Sequence, residues 1–212
     1  MPPEIIKVCG ITRVEDALYA AREGATAIGI NFYPGSPRYV DFGRGAILGS
    51  VVPRTVLKVG VFVDEMADRI IEIARAVGLD VVQLHGGETP YDCELLAPLR
   101  VWKALRVGEG WTPEVLRDYP CEAFLLDTAA GNGALGGTGH TFPWGVARRA
   151  AQYGKIIIAG GLDGSNVEEA IRIAAPWGVD ASSRLERSPG VKDPEKVKAR
   201  SEERRVGKEC RL

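Results

Sequence analysis

No two cysteines of this chain stand in C-x-x-C spacing. The four present, Cys9, Cys93, Cys121 and Cys210, are scattered over 212 residues, so neither a zinc site nor a compact disulfide framework is signalled, and reduced thiols in a cytoplasm are the expected state. A charge excess is also lacking. A formal net charge of −1 gives no electrostatic reason to expect nucleic acid or an acidic membrane surface as a partner. No run approaches the apolar length that spans a bilayer, and no basic segment leading into an apolar stretch opens the chain. Nor does Gly-x-Gly-x-x-Gly follow the first strand-like run, which argues against a doubly wound dinucleotide-binding sheet.

What is present is enough apolar material for one sizeable core, 45% of the chain, arranged as short runs rich in valine and isoleucine. The runs Ile5–Cys9, Ala27–Phe32, Leu57–Val63, Val81–Leu84, Val101–Leu105, Ala123–Asp127, Ile156–Ala159 and Val179–Ser182 read as strands. Segments of helical period lie between them: Val14–Glu23, Phe42–Val51, Glu65–Val77, Pro90–Ala97, Pro113–Arg117, Pro143–Gln152 and Ser165–Ala175. Ser165 and Glu168 have the spacing of a capping box at the start of the last. Alternation of this kind predicts an α/β protein, a single (β/α)8 TIM barrel with a parallel eight-stranded core and no room for an added domain.

In such a barrel the chemistry sits at the C-terminal strand ends and the loops that follow. Those positions carry Cys9-Gly10-Ile11-Thr12, Pro34-Gly35-Ser36-Pro37-Arg38, Gln83-Leu84-His85-Gly86, Leu126-Asp127-Thr128, Gly136-Gly137-Thr138-Gly139, Ala159-Gly160-Gly161-Leu162 and Asp180-Ala181-Ser182-Ser183. Taken in order, from Ile5 to about Val197, the chain resembles phosphoribosylanthranilate isomerase, an enzyme of tryptophan biosynthesis that performs an Amadori rearrangement.

The resemblance implies a substrate in which anthranilate is N-linked to ribose 5-phosphate, and a reaction needing one acid, one base and no metal or cofactor. Asp127 would be the acid that protonates the ring oxygen, a role that asks for a raised pKa; by position alone it also reads as a helix N-cap. Cys9 would be the base that takes the C2′ proton. A thiol with a free pKa of about 8.5 serves this way only where cations lower that value, and Lys7, two residues back on the same strand face, can supply the charge. By position alone Cys9 is a small buried hydrophobe. Arg38, on a loop stiffened by two prolines, would hold the anthranilate carboxylate in its planar fork. Gly160, Gly161, Ser182 and Ser183 would bind the phosphate through backbone amides and hydroxyls, and His85 either touches the substrate or is satisfied at the rim.

Two features depart from the family pattern. Arg184 stands where the family has glycine; a positive φ there would cost about 1 kcal/mol, although the charge could instead help hold phosphate. Beyond Ala199 the sequence resembles translated read-through of a sequencing adapter, so residues 1–199 read as the barrel isomerase domain and 200–212 as a non-native tail replacing the end of the last helix, at a cost of several kcal/mol in lost packing. The glycine-rich segment from Thr128 to Thr141 reads as a mobile cover. The expected partner is a small phosphosugar, without nucleic acid or membrane and with an oligomeric state the sequence leaves open. Two alternatives remain at this point: a non-catalytic sugar-phosphate-binding barrel, and the related histidine-pathway isomerase, which uses aspartates where this chain has Cys9 and Asp127.

Overall fold

A computed structural model of the chain describes residues 2–128 and 143–209, with side-chain surroundings as far as Ser201. Eight strands form its centre: β1 Ile5–Cys9, β2 Ala27–Asn31, β3 Leu57–Phe62, β4 Val81–Leu84, β5 Val101–Val107, β6 Ala123–Thr128, β7 Lys155–Ile158 and β8 Gly178–Ala181. Each runs parallel to the next. β8 pairs back onto β1, with Ile5 opposite Gly178 and Lys7 opposite Asp180, and so closes the barrel. A parallel sheet with helices outside buries both faces of every strand, which is why these runs are apolar along nearly their whole length.

Outside lie α1 Val14–Arg22, α2 Phe42–Val51, α3 Ala67–Val77, α4 Pro90–Glu94, α5 Gly145–Ala150, α6 Val167–Ala174 and α7 Pro194–Glu209. α3 shows why they dock. Ile70, Ile73, Ala74 and Val77 make one buried stripe, each isoleucine contributing about 2 kcal/mol by burial. α7 crosses residue 199 without a break, buries Val197, Arg200 and Ser201, and sends Arg200 Nη2 to the carbonyl oxygen of Lys7 at 2.7 Å.

Three local expectations change. Pro113–Asp118 is a 3₁₀ segment and not an α-helix, because Pro120 forces Tyr119 into extended backbone and cuts the element short. The box expected of Ser165 and Glu168 does not form: α6 is preceded by Asn166, while Ser165 turns its amide and hydroxyl onto the carboxylate of Asp163. The reciprocal box is instead Thr89 with Asp92, at the start of α4. Finally, β8 is followed by a 3₁₀ turn, Ser183–Leu185, and an antiparallel hairpin of β9 Glu186–Ser188 and β10 Val191–Lys192.

Alternation along the strands sets the interior. Ile5, Ala27, Val81 and Ala123 belong to an apolar cluster. Two residues further along the same faces come Lys7, Gly29, Gln83 and Leu125, and two further again, at the mouth, Cys9, Asn31, His85 and Asp127. Polar character therefore rises toward the C-terminal ends of the strands.

Candidate active site

The mouth opens into a cavity of about 610 Å³ lined by Cys9, Arg38, His85, Asp127, Gly160, Gly161, Ser182 and Ser183, together with Asp180 and Arg184. All eight residues singled out from sequence thus surround one space, although they derive from six different strand ends and loops. Among the described residues, no cluster of three or more His, Cys, Asp or Glu is placed to hold a metal ion.

Cys9 ends β1 beside Gly29 of β2. A β-carbon at position 29 would lie 2.6 Å from Cys9 Sγ and 3.1 Å from Lys7 Cε, so the missing side chain is what leaves room for the thiol and the lysine stem together. Lys7, fully buried, is paired with Asp180 through Nζ and Oδ2 at 2.8 Å. Burial pushes the ammonium pKa down, but Asp180 and Cys9 outweigh that and hold it above its usual value. The thiol goes the other way. Burial pushes Cys9 up, Lys7 and Lys192 pull it down, Asp180 adds to the rise, and the net direction is upward. Lys7 thus acts on Cys9 in the expected sense, but Asp180 and desolvation prevent it from producing a depressed thiol.

Asp127 stands one residue before the end of β6, buried, with Oδ1 accepting from the Thr128 amide at 2.8 Å. Its other oxygen lies 3.5 Å from His85 Nε2. His85 Nδ1 is 2.8 Å from Gln83 Nε2, which fixes the ring with its other nitrogen toward Asp127. α5 begins only at Gly145, so Asp127 does not cap it.

Arg38 reaches the mouth across Gly10. A β-carbon there would lie 2.5 Å from Arg38 Cδ, and the φ of Gly10 is +75°, so only glycine clears the path. The guanidinium is already engaged: Nε and Nη2 donate to the two oxygens of Glu186, each at 2.8 Å. Lys192 Nζ donates to Glu186 Oε1 at 2.8 Å and to the Ser182 carbonyl at 3.2 Å.

After β7, Gly160 and Gly161 take φ of +83° and +64°, bringing bare backbone to the cavity, while after β8 Ser182 Oγ donates to the Cys9 carbonyl oxygen at 3.1 Å. Arg184 occupies the 3₁₀ turn, and left-handed φ among the described non-glycine residues occurs only at Asp64 and Ala175. The strain expected of Arg184 is therefore absent. Its Nη1 instead pairs with Asp163 Oδ2 at 2.7 Å. The segment from Thr128 to Thr141, expected as a mobile cover, lies outside the described residues from 129 onward.

Asp180, Glu186 and Lys192 were not given roles from sequence. Asp180 stood within a noted strand-end motif, and the Pro189-Gly190 turn between two short polar runs was the one local sign of the hairpin bearing the other two.

A family model described as N-(5'phosphoribosyl)anthranilate (PRA) isomerase matches residues 6–203. The chain is 49% identical over 193 residues to the N-(5'-phosphoribosyl)anthranilate isomerase of Solibacter usitatus, covering 91% of this chain and 93% of that one. Its fold is similar to the crystal structure of phosphoribosyl anthranilate isomerase from Thermus thermophilus, with a TM-score of 0.87, 34% identity and coverage of 95% and 98%. It is also similar to a phosphoribosyl anthranilate isomerase solved with reduced 1-(o-carboxyphenylamino)-1-deoxyribulose 5-phosphate, at TM-score 0.82, 32% identity and the same coverage.

Proposed function

The chain belongs to the N-(5'-phosphoribosyl)anthranilate isomerase family, and on that premise we propose that Cys9 and Asp127 carry out the Amadori rearrangement of N-(5-phosphoribosyl)anthranilate to 1-(2-carboxyphenylamino)-1-deoxyribulose 5-phosphate. The observation that carries the reading is the meeting of a thiol and a carboxyl group from β1 and β6 on one cavity that a guanidinium and glycine backbone also line.

The steps follow from these positions. Asp127 gives its proton to the furanose ring oxygen; the C1′–O bond breaks and the anilino nitrogen lone pair forms a Schiff base. Cys9, as thiolate, removes the C2′ proton, and its electron pair moves to give the enolamine. Return of a proton to C1′, with loss of the C2′ hydroxyl proton, gives the ketose, so no atom or electron is gained or lost overall. Arg38 would hold the aryl carboxylate, and Gly160, Gly161, Ser182 and Ser183 the phosphate, fixing the sugar between acid and base. His85 faces Asp127 and would orient its proton.

The relative solved with the reduced product analogue supports a phosphosugar as the small-molecule partner. On this reading the compartment is the cytoplasm and the reaction belongs to tryptophan biosynthesis. Turnover followed by loss of anthranilate-type fluorescence tests it. Cys9→Ser and Asp127→Asn should each lower kcat by about 10²–10⁴-fold with the fold intact; two folded variants that turn over like the parent would remove the assignment.

A further inference from the structure

The Arg38 guanidinium carries five N–H groups in a rigid plane, and Glu186 takes two of them, one on Nε and one on Nη2. This is the side edge of the fork. One proton of Nη1 and the second proton of Nη2 form its end edge, the one that matches a carboxylate bidentately, and among the described residues no hydrogen bond takes either. Glu186 is deeply buried, its side chain 4% exposed, and is itself fixed by Lys192, also buried at 3%. Burial pushes the Glu186 carboxyl up, yet the bonds from Arg38 and the charge of Lys192 outweigh this and keep it below the usual carboxylate range. The hairpin thus anchors one edge of Arg38 with a charged acceptor that does not give way. Two cations and one anion leave a single net positive charge at this wall of the cavity.

We propose that Glu186 is a positioning residue for aryl-carboxylate recognition, clamping the side edge of Arg38 so that its end edge is presented to the carboxylate of the substrate. Lys192 completes the device by cancelling the charge of Glu186, which would otherwise repel that carboxylate. The inference rests on the proposed role of Arg38. It adds that this arginine is not a free arm waiting for an anion but a preset one.

The experiment compares two substrates, phosphoribosylanthranilate and the matching phosphoribosylaniline, which lacks the carboxylate. Glu186→Gln should raise KM for the first at least tenfold with kcat within about threefold, and leave the second nearly unchanged. The double variant Glu186→Gln/Lys192→Met, which restores the net charge of the wall, covers the case in which the single variant does not fold, and should show the same split. Equal KM changes for both substrates, or none in either variant, would overturn the proposal. Failure of the parent to turn over phosphoribosylanthranilate would instead overturn the assigned reaction, so the two failures are distinct.

Discussion

Arg200 of α7 donates from Nη2 to the carbonyl oxygen of Lys7 at 2.7 Å, tying the last helix to the strand that ends in Cys9. Both Arg200 and Ser201 are buried. Residues 200 and 201 therefore belong to the packed part of the domain whatever their origin. Arg200→Ala is expected to cost about 1.5–3 kcal/mol, the range for a hydrogen bond made by a charged group, and removal of everything after Ala199 at least as much. Urea unfolding of both variants against the parent measures this; unchanged midpoints would show that α7 holds without the contact.

Lys7→Met leaves Asp180 as an unpaired carboxylate in the barrel, so a loss of about 3–5 kcal/mol is expected. It also removes the larger of the two cationic influences on Cys9. The reactive species is the thiolate and the thiol already lies above its usual range, so kcat/KM of the parent should still be rising with pH past about 8.5. In Lys7→Met the same limb should move to higher pH. A superimposable pH profile would mean that Lys7 acts on packing alone.

Arg184 sits without left-handed strain in its turn, its side chain 42% exposed and paired with Asp163. Arg184→Gly should therefore not stabilise the protein, and loss of an exposed pair should cost no more than about 1 kcal/mol. Since Arg184 lines the cavity beside the serines proposed for phosphate, KM should rise while kcat holds, and inhibition by inorganic phosphate should weaken. A clear gain in stability would contradict the backbone described here.

Cys93 and Cys121 give a test at alkaline pH. Burial pushes them to about 11 and about 12, whereas an unfolded thiol ionises near about 8.5. For an acid whose folded value is raised, the stabilising contribution is full below the unfolded value and is lost as pH climbs toward the folded one. Between pH 8.5 and pH 10 each thiol should cost up to about 2 kcal/mol. Thermal unfolding over that interval should show the decline, and Cys121→Ala should flatten it.

Much of this was legible in the sequence. Strand positions were, since a parallel strand buried on both faces is apolar throughout, and strand-end residues such as Cys9, His85 and Asp127 inherit their place from that pattern. The pairings were not. Lys7 and Asp180 are 173 residues apart and Arg38 and Glu186 148; nothing local in either segment signals its partner. The direction of the Cys9 shift was missed for the same reason, because Lys7 is visible two residues away and Asp180 is not. At Ser165 a local signal was present but lost to a stronger acceptor, the carboxylate of Asp163.

Closure of the barrel through β1 and β8 sets an order of events during synthesis. Lys7 leaves the ribosome long before Asp180, and at about 5–20 residues per second the 173 residues between them take roughly 10–35 s. Throughout that time β1 has one unpaired edge. A charge in the middle of an exposed strand discourages pairing with another chain, so the lysine that later stands beneath the thiol also guards the seam until its own partner emerges.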